Sequence, residues 1–346
     1  MRTLKDFNFE NKRVLVRCDF NVPLDKQGNI LDDFRIKISL PTIKYLIKKK
    51  AKIILLSHLG QPQGELKKNL KLTIIKDRLE KYLNCSSIKI KDCLDKETKN
   101  LIKKIKAGDI LLLENLRFHK EELKNNQNFA KKLAELGDIY INNAFSVCHR
   151  TQASIVSLPK YLPSGAGFLL ENEIKILSKI IKNFKRPLVV IIAGGKIKSK
   201  TEIAENFLKI ADFLLLGNLI AENFERKKIK SLGKVLFSLD SERNCDIGPK
   251  TIKTFKEKIS QAKTIFWSGP LGKIEEKEYQ EGTKEIAQAV IKSRAFSVIG
   301  GGDTIKFLNK IGLIKKFNYV SMGGGAMLAF LSNEKLPGLE ALKYVS

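Results

Sequence analysis

A glycine turn followed by lysines is the stretch of this chain best suited to binding a polyphosphate. Gly194 and Gly195 follow an apolar run at 188–193, and Lys196 and Lys200 come directly behind them. Glycine lets the backbone pass close to a bulky anion, the N–H groups at a helix start point toward it, and lysine adds mobile positive charge. The G-x-x-x-x-G-K-[ST] pattern of a Walker A loop is absent. The alternative is a tight turn with solvated lysines.

Further glycine turns follow the other strands predicted in the second half. These strands lie at 213–216, 264–267, 295–299 and 318–321. Several such turns in one sheet indicate a backbone that approaches a nucleotide. Asp303, just after one of them, supplies a carboxylate that suits Mg²⁺ beside phosphates, and Glu275 could hold ribose hydroxyls.

Polar side chains collect at the strand ends of the first half. Only 11 of the 64 basic residues are arginine, whose planar fork matches carboxylate and phosphate. Capping and salt bridges are the alternative, but each position is a predicted strand end or an adjoining loop, where binding residues concentrate in α/β sheets. The residues are Arg17, Asp19, Asn21, Arg35, His58, Arg117, His149 and Arg150.

The elements that must position these residues alternate between strand and helix, which predicts an α/β fold with parallel sheets and right-handed crossovers. In such sheets, ligands bind beyond the carboxyl ends of the strands. The first-half strands are predicted at 13–17, 51–57, 109–113 and 139–142, and the helices at 40–50, 72–83, 128–136, 168–182 and 201–212.

Composition narrows the class of protein. The 346 residues allow two cores. Because 1–13 carries no apolar leader and no apolar run is long enough to cross a bilayer, we expect a cytoplasmic enzyme. The five cysteines lack C-x-x-C spacing, which favours reduced thiols over a disulfide framework or a zinc site. They are Cys18, Cys85, Cys93, Cys148 and Cys245.

The net charge of +27 raises the alternative of a nucleic-acid-binding protein. However, 53 of the basic residues are lysine, spread over predicted helix faces such as 44–52 and 96–106. This pattern favours a solvated surface, and no recognition motif is present. We therefore expect no specific nucleic acid and no membrane as partner, although the excess charge should attract anionic metabolites.

Taken together, these stretches resemble phosphoglycerate kinase, in order, over nearly the whole chain. The matching motifs are VLVRCDFNVPL (14–24), DDFRI (32–36), LPTIKYL (40–46), SHLG (57–60), LLENLRFHKEE (112–122), HR (149–150), GFLLE (167–171), DIGPKT (246–251), WSGPLG (267–272), GGGDT (300–304), GGGA (323–326) and LPGLEAL (336–342).

The resemblance implies two Rossmann-like domains, each a parallel sheet flanked by helices, with a cleft between them that closes during the reaction. The domain for the acid substrate would comprise 1–158 plus a C-terminal tail, 336–346, that packs back on it. A hinge connector (159–183) and a nucleotide-binding domain (184–335) would complete the chain. The implied activity is a reversible, Mg²⁺-dependent step of glycolysis, in which a phosphoryl group moves between 1,3-bisphosphoglycerate and ADP to give 3-phosphoglycerate and ATP. The resemblance also implies a monomer.

By matching positions, the resemblance also implies residue roles. Arg35 and Lys196 would stabilise the transferring group, and Asp303 would hold the metal. The acid would be held by Asp19, Asn21, Arg35, His58, Arg117 and Arg150. The nucleotide would be held by Gly194, Gly195, Lys200, Glu275, Gly301, Gly302, Asp303 and Thr304.

Several positions depart from the family pattern. Gln61 stands where Arg is usual, Asn143 where Asp is usual, Ser268 where Asn is usual, and Met322 where Thr is usual. The turn at 193–196 reads AGGK where GGAK is usual, and the segment 224–247, which in the family helps to line the nucleotide cleft, is much shorter. These departures keep open the alternative of a family member that binds nucleotide with reduced or lost turnover.

Overall fold

The computed structural model describes residues 1–84, 88–89, 92, 94–226 and 233–344. The chain divides into two compact units, unit 1 with Met1–Glu173 and Lys335–Ser346, and unit 2 with Ile174–Glu334. The division falls inside the helix Phe168–Lys182, so the first part of the expected connector 159–183 belongs to unit 1. Cys85, Cys93, the tail residue Val345 and part of the shortened segment (227–232) lie outside the described residues.

The elements follow one another as strand and helix along the described chain. The strands are β1 (Arg13–Arg17), β2 (Lys52–Leu56), β3 (Ile88–Lys89), β4 (Ile110–Leu112), β5 (Ile139–Asn142), β6 (Ser164–Ala166), β7 (Leu188–Ile192), β8 (Phe213–Leu216), β9 (Val235–Leu236), β10 (Ser241–Glu242), β11 (Asp246–Ile247), β12 (Thr264–Ser268), β13 (Phe296–Gly300) and β14 (Tyr319–Ser321). The helices are α1 (Phe34–Lys48), α2 (Thr73–Leu83), α3 (Lys96–Lys104), α4 (Lys120–Leu123), α5 (Gln127–Ala134), α6 (Phe168–Lys182), α7 (Ile197–Leu208), α8 (Asn218–Arg226), α9 (Pro249–Gln261), α10 (Glu281–Ser293), α11 (Gly302–Lys310), α12 (Gly325–Leu331) and α13 (Pro337–Glu340).

Unit 1 is built on a parallel sheet with the strand order β3-β4-β2-β1-β5-β6. Its central strand β1 carries Val14, Leu15 and Val16, whose side chains are wholly buried. Because helices cover both faces of a parallel sheet, such strands are continuous apolar runs rather than alternating ones. This is why the unbroken run in the sequence predicted the strand correctly.

Unit 2 has a second parallel sheet with the order β14-β13-β12-β7-β8-β9. All five residues of β7 are wholly buried. A small antiparallel pair, β10 and β11, is added within the shortened segment. The α/β fold with two parallel sheets that the sequence predicts is therefore confirmed.

Two helices begin several residues earlier than predicted. Helix α1 begins at Phe34 instead of residue 40, so Pro41 lies inside the helix and Arg35 lies in its first turn rather than in a loop. Buried Ile36 and Ser39 in the added turns pack in the core, and this packing outweighs the cost of an internal proline. Helix α7 begins at Ile197 instead of residue 201. The prediction missed this start because the first turn is mostly polar and shows no apolar period.

The C-terminal tail packs on unit 1. The N–H of Gly338 donates to the carbonyl of Cys148 at 2.9 Å. Leu336, Leu339 and Leu342 are each at most 3% exposed. In the part of the chain that the structure describes, no helix combines the length and apolarity needed to cross a membrane.

Gly338→Ala tests the seating of this tail. An added Cβ would lie 2.7 Å from the Cγ2 of Ile155 and 2.9 Å from the Cα of Cys148. The Cα is a backbone atom, so a change of rotamer cannot relieve this contact. We expect the free energy of unfolding to fall by about 1–3 kcal/mol, measured by urea denaturation. Lys335→Ala, at a side chain that is 88% exposed, is the control and should change stability by less than about 0.5 kcal/mol. An equal effect of the two substitutions would contradict the close fit at Gly338.

Candidate active site

Asp19, just after β1, is the centre of a polar cluster in unit 1. Its Oδ2 accepts hydrogen bonds from the Nη1 of Arg35 and the hydroxyl of Ser146, and its Oδ1 accepts from the N–H of Asn21 at 3.0 Å. Burial alone would raise the pKa of Asp19, but Arg35 and the other neighbours outweigh it and hold this pKa well below its usual range. Asp19 is therefore ionised at neutral pH and orients the Arg35 guanidinium.

His58, just after β2, is a neutral ring with a defined tautomer. The Nη2 of Arg17 lies 3.2 Å from the Nδ1 of His58. Because a guanidinium only donates, Nδ1 must accept, and the ring proton lies on Nε2. Burial, aided by Arg17, lowers the pKa of His58 well below its usual value in spite of Asp19. The Nε2 lies 3.8 Å from the Oδ1 of Asp19, which is too long for a hydrogen bond.

Gly60 connects Asn21 and Arg117 to the same cluster. Its N–H donates to the Oδ1 of Asn21 at 2.8 Å, and its carbonyl accepts from the Nη1 of Arg117 at 2.9 Å. The Nε of Arg117 is buried and has no hydrogen-bond partner. Burial, together with the charge of Arg17, lowers the pKa of Arg117 to about 10, so this side chain is still charged at pH 7. Arg150 is exposed, and its charge also acts on Arg117.

The cluster has an excess of positive charge. Arg17, Arg35, Arg117 and Arg150 act in it against two carboxylates, those of Asp19 and Glu122. Guanidinium groups bind carboxylates and phosphates with two parallel hydrogen bonds. A buried donor without a partner, such as the Nε of Arg117, is costly unless a ligand satisfies it. The geometry therefore suits a small ligand that carries carboxylate or phosphate groups.

Unit 2 contains a pocket at the carboxyl ends of its parallel strands. Backbone and side chains that follow β7, β12, β13 and β14 form its wall. The lining residues are Gly195, Lys196, Lys200, Ser268, Gly269, Pro270, Gly301, Gly302, Asp303, Thr304, Gly324 and Leu328. Most of the nucleotide-site residues expected from the sequence are thus brought together.

Lys200 passes between two glycine turns to reach this pocket. Its ammonium group donates to the carbonyl of Ala193, and the residue is only 6% exposed. A Cβ on Gly269 would overlap this ammonium and that carbonyl, and a Cβ on Gly194 would lie 2.8 Å from the same ammonium. Only glycine fits at these positions. Burial lowers the pKa of Lys200 to about 8, although Asp303 opposes the shift.

Helix α11 directs its N-terminus at the pocket. Gly301 precedes it with φ 96°, a conformation that favours glycine. Asp303, in the first turn of α11, is exposed. One carboxylate fits a Mg²⁺ ion that arrives with phosphates and keeps several waters. No group of three or more His, Cys, Asp or Glu side chains suited to a metal occurs among the described residues.

The structure does not bring every expected residue to these two places. Glu275 is exposed and is not part of the pocket wall, and Gly194 contributes beside Lys200 rather than to the wall itself. Sequence reasoning missed Ser146, whose position after a strand end was a usable signal. It also missed Gly60, which acts through its backbone and leaves no side-chain signal. The hydroxyl of Ser268 is buried without a partner and lines the pocket.

Asn143, which departs from the family pattern, has a structural task in unit 1. Its Oδ1 accepts from the hydroxyl of Thr42 at 2.9 Å and from the N–H of Leu169 at 3.1 Å. The Thr42 hydroxyl accepts in turn from the N–H of Phe168 at 3.0 Å. These side chains cap the first turn of α6. The structure thus places the Asn143 side chain at a helix start. Among the described hydrogen bonds of Asn143, only that of its backbone N–H reaches the arginine cluster, by donating to the carbonyl of Arg17 at 2.8 Å.

Comparison with known proteins identifies one family. The family model for Phosphoglycerate kinase matches residues 4–245 and 238–334. The phosphoglycerate kinase of Borrelia garinii subsp. bavariensis is 40% identical, with 99% of each chain covered. That of Aquifex aeolicus is 39% identical, with 98% of this chain and 97% of the relative covered.

Solved structures agree. The phosphoglycerate kinase of Pyrococcus horikoshii OT3 superposes with a TM-score of 0.87 at 31% identity, covering 99% of this chain and 98% of that one. The enzyme of Coxiella burnetii gives a TM-score of 0.83 at 33% identity, with the same coverage of both chains.

The chain is nevertheless shorter than the Borrelia garinii relative. The alignment with the Borrelia garinii protein spans 393 positions, so at least 47 of them have no counterpart among the 346 residues here. The family-model match breaks into two parts that overlap at 238–245, inside the segment 224–247 that the sequence shows to be short. With matches over nearly its full length in sequence and in fold, this chain belongs to the phosphoglycerate kinase family.

Proposed function

We propose that this protein is an active phosphoglycerate kinase that transfers a phosphoryl group between ATP and the carboxylate of 3-phosphoglycerate, reversibly and with Mg²⁺. The observation that carries the proposal is the pairing of two unlike anion sites within one chain. An arginine-rich cluster in unit 1 suits a carboxylate and phosphate ligand, and a glycine-walled pocket in unit 2 suits a polyphosphate.

In unit 1, the cluster is suited to hold the acid. The Nη1 of Arg35 is held by Asp19, which leaves the remaining N–H groups of this guanidinium to donate to the group in transfer. Arg117 and Arg150 supply further positive charge for the phosphate of the acid, and His58 and Asn21 complete the expected set. Phosphoryl transfer needs positioning and charge neutralisation more than covalent help.

In unit 2, the pocket is suited to hold the nucleotide phosphates. Lys200 and the first N–H groups of α11 face the same space as Lys196 and Asp303. When bound, Mg²⁺ would neutralise phosphate charge, and Asp303 is the residue that would hold it. Lys196, next to the glycine turn, is our candidate for stabilising the transferring group together with Arg35.

The alternative is a family member that has lost turnover. The departure from the family pattern at Asn143 is little support for it, because this side chain caps α6 and is not part of the arginine cluster. The test is a coupled assay for ADP formation from ATP and 3-phosphoglycerate on purified protein, with and without Mg²⁺. We expect Mg²⁺-dependent turnover. ATP binding without any turnover would support the alternative instead.

Lys200→Met should make the protein more stable and weaken its binding of ATP. Below pH 8 the folded state holds a buried charge, because the pKa of Lys200 falls from 10.5 to about 8 on folding. The unfolded chain binds more protons between these two values, so the parent gains stability as the pH rises through this window. At pH 7 the free energy of unfolding of the variant should exceed that of the parent by about 2 kcal/mol. This difference should shrink near pH 10.

The measurements are urea denaturation at pH 7 and pH 10 and calorimetric titration with ATP. Lys198→Met is the stability control, since the side chain of Lys198 is exposed. The ATP affinity of Lys200→Met should be lower by about tenfold or more, as expected for the loss of a charge-assisted hydrogen bond. A variant that is less stable than the parent at pH 7 would show that the ammonium group is well satisfied where it lies.

Arg35→Lys should lower kcat by about a hundredfold, equivalent to about 3 kcal/mol, because lysine keeps the charge but loses the fork geometry. ATP affinity should stay near that of the parent, since Arg35 belongs to unit 1. Arg78→Lys is the matched control, because Arg78 pairs with Asp33 instead of Asp19. Steady-state kinetics of both variants decide the matter. A kcat near the parent value in Arg35→Lys would remove this residue from the mechanism.

Asp303→Asn should weaken ATP binding in the presence of Mg²⁺ by about tenfold and change it little when the metal is chelated, because the amide is a poorer ligand for a hard cation. The melting temperature should change little, since Asp303 is exposed and interacts with Lys200 only through its charge. Titration with ATP under the two conditions measures the effect. A loss of the same size without Mg²⁺ would show that Asp303 does not act through the metal.

A further inference from the structure

We propose that Glu122, which ends a family motif but has no role among those that the resemblance implies, is a positioning residue that fixes the tautomer of His58 through Ser154 and Arg17. These four side chains form a continuous series of hydrogen bonds that we call the Glu122 relay. It begins in α4, passes through the short π-helix at Ala153–Ser157 and ends beside the Asp19 cluster.

The first link is between Glu122 and Ser154, both of which are wholly buried. The Oε1 of Glu122 accepts from the Ser154 hydroxyl at 2.6 Å, and its Oε2 accepts from the Ser154 N–H at 2.8 Å. Because a carboxylate only accepts, the serine hydroxyl must be the donor in its hydrogen bond with Glu122. The lone pairs of the Ser154 Oγ are then available to accept from the Nε of Arg17, which lies 2.9 Å away.

The second link is between Arg17 and His58. Arg17 is wholly buried, and its Nη1 donates to the carbonyl of Cys18 at 2.5 Å. Its Nη2 donates to the Nδ1 of His58 at 3.2 Å. The carboxylate at one end can only accept, and the guanidinium near the other can only donate, so the direction of each hydrogen bond is fixed. The phenol of Tyr140 braces the relay by donating to the Ser154 carbonyl at 2.8 Å.

The relay has a consequence for ligand binding. With Nδ1 committed to Arg17, His58 presents an N–H on Nε2, near the Oδ1 of Asp19. An N–H attracts an anionic ligand, whereas the opposite tautomer would present a lone pair and repel it. The tautomer follows from the hydrogen bonds alone. Only the step from the tautomer to 3-phosphoglycerate binding rests on the proposed function.

The first experiment uses the parent protein without ligand. Long-range ¹H–¹⁵N correlation spectra of protein labelled with ¹⁵N-histidine distinguish a protonated ring nitrogen from an unprotonated one, and the chain has 3 histidines. The signals of His58 are assigned by their loss in a His58→Gln variant. We expect a protonated Nε2 and an unprotonated Nδ1. A protonated Nδ1 in the parent overturns the proposal.

The second experiment breaks the relay at Glu122. A glutamine there has one acceptor and one donor group, so Glu122→Gln cannot accept both hydrogen bonds from Ser154. We expect mixed tautomers at His58 and a KM for 3-phosphoglycerate raised about tenfold, with the KM for ATP unchanged. Glu121→Gln, at the adjacent exposed residue of the same helix, is the matched control and should match the parent in both readouts.

A second variant keeps the test decisive if Glu122→Gln does not fold. Ser154→Ala removes the middle hydroxyl and should give the same tautomer mixture. The signals of His149, which lies outside the relay, should stay unchanged in any folded variant. A single Nε2–H tautomer in both variants overturns the proposal. If the parent protein shows no kinase turnover while the variants show mixed tautomers, the relay is supported and the proposed function is overturned instead.

Discussion

Buried positive charge at the carboxyl ends of two parallel sheets is the constraint on which the rest of this structure depends. Arg17 is the last residue of β1 and is wholly buried. Lys200 is 6% exposed, and its ammonium group donates to the carbonyl of Ala193, just after β7. Their described hydrogen bonds go to backbone carbonyls, a serine and a histidine, and none goes directly to a carboxylate. Such charges cost folding free energy that an anionic ligand can recover by binding. The stability of the empty protein and its affinity for anions are therefore linked.

The two proposed anion sites are built in different ways. Unit 1 uses long side chains, and a shell of partners such as Ser146, Gly60 and the Glu122 relay holds them in place. Unit 2 uses backbone, because glycines bring main-chain N–H groups and the start of α11 to the edge of the pocket. The first arrangement suits a ligand that carries a carboxylate and a phosphate, because guanidinium groups bind both with two parallel hydrogen bonds. The second arrangement suits a flexible polyphosphate.

The departures from the family pattern differ in their physical meaning. Asn143 keeps a structural role, since its Oδ1 and the Thr42 hydroxyl cap the first turn of α6. Gln61 is exposed next to Gly60, whose backbone already holds Arg117 and Asn21. Ser268 leaves a buried hydroxyl without a partner in the pocket wall. The segment 224–247 of unit 2 is shortened, but unit 2 still has a six-stranded parallel sheet, with β9 as its last strand.

Much of the fold was determined by the sequence itself. Runs such as 188–192 are apolar without alternation because both faces of a parallel strand are covered, and this local signal identified β1, β2, β5, β7 and β8 closely. The glycines after strands and the few arginines pointed to both candidate sites, since these residue types suit a place where backbone N–H groups or a guanidinium group meet an anion. Local signals failed at α1 and α7, where the packing of Ile36 outweighed Pro41 and a polar first turn hid the start of a helix.

Tertiary structure alone decided which side chains orient the others. Glu122 and Ser154 are 32 residues apart, and Arg17 and Ser154 are 137 apart, so no spacing in the sequence could indicate that they form one relay. Gly60 acts through its main chain, which carries no side-chain signal. The tautomer of His58 and the lowered pKa of Lys200 arise from burial and from the direction of hydrogen bonds, and both exist only after the strands bring distant segments to one edge of the sheet.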